Sequence, residues 1–268
     1  MARFLSGMVT TAVMLATLAG AAGAAEAEGP WPAPVEGFQA PKAGEHPRLF
    51  FREADLDRLK ARAATPEGEA ILRRLRECLN GSDGESMPSV KNPMTSAYGK
   101  KGGPKPQKSD LPVGAYSLSH AAGFGFLYHL TGEKKYADLG RECFEWAFDG
   151  VRDRDREARY SFRKPGGALR AGPSLGWYAV GYDLCYDGWD EAYRRKVADA
   201  IQNYDEGKHC SLPELARGAR HMPASNHWGM QVGGAALALL AIRDDPGVDM
   251  KKIDTLLGQS RKAMIRNM

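Results

Sequence analysis

The 268-residue chain has no convincing run of alternating apolar and polar residues, so nothing in it reads as a strand. Without a strand there is nothing to carry the nucleophile elbow of a Ser-His-Asp hydrolase. Cysteine is scarce: Cys78, Cys143, Cys185 and Cys210 form neither a CxxC pair nor a compact disulfide framework. They read as small buried hydrophobes, with at least one disulfide as the alternative in an oxidising compartment. No nucleic-acid-binding motif is present, and 37 Lys and Arg against 33 Asp and Glu leave a formal charge of only +4. That balance permits an acidic partner without demanding one, and nucleic acid is not expected. His209, Cys210, His221 and His227 raise the question of zinc. Their spacings match neither a helical i, i+4 pair nor paired CxxC ligands, so no metal or other cofactor is expected in this segment.

What is present begins with a leader. Arg3, an apolar run from Met8 to about Ala22, and small residues such as Ala22-Gly23-Ala24 predict a signal peptide over residues 1–25. The run is short for a membrane span and is followed by Glu26, Glu28 and prolines, so a secreted or periplasmic protein without a stable membrane anchor is expected. Residues 26–45 read as an extended lead-in and residues 46–268 as one domain. Within it, helical patterns pair across short polar joints: two helices over 53–80, then 113–130 with 133–149, 173–188 with 190–205, and 225–243 with 249–266. Between them, residues 80–112 are rich in Gly, Pro and Ser and carry Lys100, Lys101, Lys105 and Lys108. They predict a long solvated loop, with a basic flap over an anion as the other reading. Repeated antiparallel hairpins without strands give an all-α fold, of solenoid or toroid type. The oligomeric state is not legible.

The stretch from Ala224 to Ala236 holds the candidate chemistry. Ser225 is a good N-cap, and Trp228, Val232, Ala235, Ala236, Leu239 and Ile242 recur as one buried helical face. Asn226 and His227 then fall in the first turn, where the helix dipole favours a nearby anion such as a carboxylate and disfavours an imidazolium. Gly233 and Gly234 lower helix propensity, which points to close approach of another backbone.

His46-Pro47-Arg48-Leu49-Phe50-Phe51, the segment Leu130–Ala137, the segment Gly176–Asp183 and Asn226-His227-Trp228, in that order, resemble the N-terminal α/α-toroid part of heparinase II/III-type polysaccharide lyases. The resemblance spans nearly all of residues 46–268. It implies β-elimination on a uronic-acid-containing polysaccharide, of heparinase II/III-like or alginate-lyase-like type. Asn226 would neutralise the uronate carboxylate, and His227 would act as base or as partner in neutralisation. It also implies a catalytic tyrosine and a second histidine on later helices, expected beyond Met268, and a C-terminal β-rich domain with no counterpart here. The chain is therefore expected to be an incomplete toroid, with weak or absent lyase activity on its own. Some heparinase II-like members carry an acidic residue one turn after the histidine where this chain has Met230, which counts against heparin or heparan sulfate.

Further candidates for an acidic polysaccharide or oligosaccharide are Tyr160, Trp177, Tyr178, Tyr182 and Trp228, as rings that could stack on sugars or else fill the core. Arg159, Arg163, Lys164 and Arg170 could hold uronate or sulfate, or form a mixed-charge surface with Asp153, Asp155 and Glu157. His120 reads as a satisfied core histidine, with a cleft position second. Two other functions stay open. Asp183, Asp187 and Asp190 could supply the carboxylate pair of an α/α-toroid glycoside hydrolase, and a non-catalytic glycan-binding remnant would need neither.

Overall fold

A computed structural model describes residues 36–88, 113–152 and 160–267. The leader, the first half of the lead-in, the four loop lysines, and Asp153, Asp155, Glu157 and Arg159 lie outside the described residues. The described chain is all-α. Its helices are α1 (Leu56–Ala63), α2 (Pro66–Asn80), α3 (His120–Thr131), α4 (Lys134–Phe148), α5 (Ala168–Cys185), α6 (Glu191–Gln202), α7 (Leu212–Ala216), α8 (Asn226–Ile242) and α9 (Met250–Asn267). None of them is long and apolar enough to cross a membrane.

The expected hairpins are present, with two shifted starts. The helix expected from 113 begins at His120, because Gly114 holds φ +78 against the Asn80–Gly81 backbone and stops helix growth there. The helix expected from 173 begins instead at Ala168, after Gly167 at φ +90, and runs through Pro173. Arg170 and Ala171 N–H groups already bond the Gly167 carbonyl, so the first turn is closed before the proline arrives.

The helices sort into two layers. Fourteen of the 18 residues of α5 are buried, and α8 is buried on most sides, whereas α4 buries one stripe, from Tyr136 and Ala137 to Phe144 and Ala147. Gly172 faces Met230 and Gln231, and Gly176 faces Gly234 and Leu237, so α5 and α8 run parallel. A Cβ on Gly234 would stand 1.9 Å from the Gly172 carbonyl oxygen, which explains that glycine; Gly233 meets nothing within 4 Å. Gly181 faces Ala121 and Gly125 faces Leu184, so α3 is parallel to α5 as well, but starts level with its second half. Three parallel inner helices with antiparallel partners outside are the layering of an α/α-toroid arc.

The C-terminal end of this inner layer is closed by the motif that opens the domain. His46 is 5% exposed; its Nδ1 lies 2.7 Å from Asp183 Oδ1 and its Nε2 3.1 Å from Asp245 Oδ1. Backbone N–H groups of Arg48 and Leu49 donate to the Asp183 carboxylate, and the Arg48 guanidinium donates to Asp245 at 2.7 Å. Tyr186 stacks on the His46 ring at 3.7 Å. The histidine, the arginine and the two carboxylates thus partner one another, the condition under which buried charge is tolerated.

Candidate functional site

The start of α8 is built as its sequence implies. Ser225 is extended and its Oγ accepts the His227 N–H at 3.2 Å, which caps the helix and sets Asn226 and His227 in the first turn. Ala224, just before the cap, carries a left-handed φ of +65, unusual for a residue with a Cβ. Asn226 is exposed and His227 half-buried. A residue not singled out as a partner joins them: the His221 ring stands edge-on to His227, centroids 5.1 Å apart at 75°. Partial burial, then the neighbouring His227 and Arg220, hold the His221 imidazole below its ordinary pKa. Two facing imidazoles next to an exposed carboxamide can exchange protons and donate to an anion. Only the fold reveals this pairing, since six positions separate the histidines and a loop with a left-handed turn at Ala224 brings them together.

A second group of candidates meets at a cleft of about 480 Å³ lined by Arg74, Cys78, Leu118, His120, Tyr160 and Trp177 among others. Trp177 lies one turn before Gly181, on the stripe of α5 that packs on α3. Because α3 has not yet begun at that level, the indole projects over its start and is 44% exposed. Tyr160 is held by the Arg170 guanidinium, 5.0 Å from its ring centre. Arg170 itself stands two residues before Gly172, the residue that touches Met230, one turn beyond Asn226. His120 forms the floor at 4% exposure. Its Nδ1 accepts the Ser117 N–H at 2.9 Å and its Nε2 donates to the Leu79 carbonyl at 3.0 Å, the bonding of a neutral, satisfied histidine.

Four candidates leave the site. Tyr178 is 1% exposed, packed edge-on to Phe144 and Phe162, and its hydroxyl meets that of Tyr116. Tyr182 is fully buried and donates to Asp245 at 2.7 Å; burial, and then the Asp245 charge, push its hydroxyl far above its ordinary pKa. Trp228 is 3% exposed, with its indole against Gly218, where a Cβ would clash at 2.1 Å. These three rings have no face open to a sugar. Arg163 is drawn away by Glu206, at 2.8 Å, and lies over the Phe148 and Phe162 rings.

Two of the three candidate carboxylates are also spoken for. Asp183 anchors the buried His46 network and Asp190 caps α6, accepting the Tyr193 N–H at 2.8 Å, so of the three only Asp187 is exposed without such a structural duty. His209 faces Glu214, and among the described residues no three His, Cys, Asp or Glu side chains converge as metal ligands. All four cysteines are free thiols, Cys78 exposed and Cys143, Cys185 and Cys210 buried. Burial pushes the three buried thiols up in pKa, as inert packing residues require. No family model matches the chain, and no curated protein matches it.

Proposed function

We propose that the chain is the α-helical part of a polysaccharide lyase that acts on a uronic-acid-containing glycan by β-elimination. The observation that carries this reading is the pair Asn226–His227 in the capped first turn of α8, with Asn226 exposed and His227 half-buried beside a second imidazole. The chemistry needs that combination. A uronate C5–H is too weakly acidic to lose its proton until the adjacent carboxylate is neutralised, and a carboxamide donor there stabilises the charge that grows on the carboxylate as the proton leaves. His227 accepts the C5 proton, the C–H electrons become the C4=C5 bond, and the C4–O4 bond breaks. An acid outside this group protonates O4.

The test is the ultraviolet absorbance of the unsaturated uronate end that β-elimination alone creates. Alginate, glucuronan, hyaluronan, chondroitin and heparan sulfate are incubated with this chain and with the product of its full reading frame. Growth of that absorbance with one of them, abolished by His227→Ala, is the expected result. Reducing ends released without it would replace the lyase by a hydrolase, and oligosaccharide binding with neither would replace it by a binding module.

A further inference from the structure

Trp177 is the one large ring on the inner helices that the fold leaves facing open space, and it does so at a defined cleft. The indole is 44% exposed although residues on either side of it in α5 are buried, and across the cleft Val113 is 50% exposed. Tyr160 stands beside it with its ring fixed by Arg170. The volume of about 480 Å³ is that of a small-ligand cleft, and among the described residues the formal charge on its lining is a single cation, Arg74, whose guanidinium shares one hydrogen bond with Glu77 at 3.0 Å. A flat apolar face, a second ring and a cation with donors to spare match a pyranose ring that carries a carboxylate: the C–H face stacks on the indole and the acid group meets the guanidinium.

We propose that this cleft is a glycan subsite, separate from Asn226–His227, that holds a uronate ring against Trp177 with its carboxylate toward Arg74. The proposal rests on the reading of the chain as acting on an acidic glycan, and it is tested apart from turnover. Cys78 lines the same cleft and is the exposed thiol of the four, so it reports occupancy directly. The alkylation rate of Cys78 by N-ethylmaleimide is followed by peptide mass mapping, with and without tetrasaccharides of glucuronate, of mannuronate and, as neutral control, of glucose.

Only the unoccupied fraction reacts, so a uronate tetrasaccharide at about ten times its Kd slows alkylation about tenfold. Trp177→Ala raises the half-protecting concentration about tenfold, Trp177→Phe restores most of it, and Asn226→Ala leaves it unchanged. Protection with no unsaturated product from the full reading frame keeps the subsite and sinks the lyase; product without protection does the reverse. Failure of both uronate tetrasaccharides to protect, equal protection in Trp177→Ala, or equal protection by the neutral tetrasaccharide would overturn the proposal.

Discussion

The two ends of the inner helix layer place the same kinds of side chain in opposite surroundings. At the C-terminal end His46 sits between two carboxylates with an arginine, a tyrosine and a stacked ring around it, and both of its nitrogens have partners. At the other end His227 faces one imidazole and solvent, next to an exposed carboxamide. Residue type does not separate an anchor from a site; saturation of hydrogen-bonding capacity does. A side chain with every partner supplied internally holds the fold, and one left with capacity can take a ligand.

Breaking the anchor should give the largest effect. Asp183→Ala strips His46 and the Arg48 and Leu49 N–H groups of their acceptor, and uncompensated buried polar groups of this kind cost about 3–5 kcal/mol. For a domain of this size that lowers Tm by roughly 6–20 °C, read by calorimetry. A shift of a degree or two would mean that the network is solvated and the contrast between the ends false. Asn226→Ala should behave inversely: turnover on the responsive glycan falls about 10²–10³-fold while stability stays within about 0.5 kcal/mol, because an exposed first-turn amide supports no core. A large fall in Tm would turn Asn226 into a second anchor.

Acid should find the anchor as well. Burial raises the Asp245 carboxyl, but hydrogen bonding and charge from His46, then the Arg48 charge and the Tyr182 hydroxyl, leave it below its ordinary 3.8. A carboxyl depressed on folding adds stability that is complete above the unfolded value and is lost as pH falls through the lower folded one. The Tm of the wild type should therefore drop below about pH 4 more steeply than that of Asp245→Asn, which has no such proton to take up. Parallel curves for the two proteins would remove Asp245 from the acid response.

The helices and their pairing were legible because apolar spacing reports which faces are covered, and the start of α8 was legible because Ser225 is a cap by chemistry alone. Starts governed by backbone geometry were not: Gly114 and Gly167 set them through left-handed φ values that a sequence shows only as glycine. The site divided similarly. Asn226 and His227 could be placed from local pattern, whereas the rings could not be sorted, since Trp177 and Tyr178 are neighbours in sequence and differ only in which side of α5 is covered. The stagger of α3 against α5 decides that, and stagger is a tertiary quantity. His221 escaped for the same reason.

The smallest effect tests the strain beside the site. Ala224 holds φ +65, where a Cβ crowds the backbone at a cost of about 1–2 kcal/mol, and glycine pays no such cost but loses about 0.5–1 kcal/mol through greater freedom in the unfolded chain. Ala224→Gly should therefore stabilise the protein by about 0.5–1 kcal/mol, a rise in Tm of roughly 1–4 °C. Its second readout matters more. If the alanine serves to fix the angle at which Ser225, Asn226 and His227 enter the helix, the more stable variant turns over more slowly, because glycine widens the range of entry angles. A gain in stability with turnover unchanged would place the strain in the loop alone and leave the cap as the device that positions Asn226 and His227.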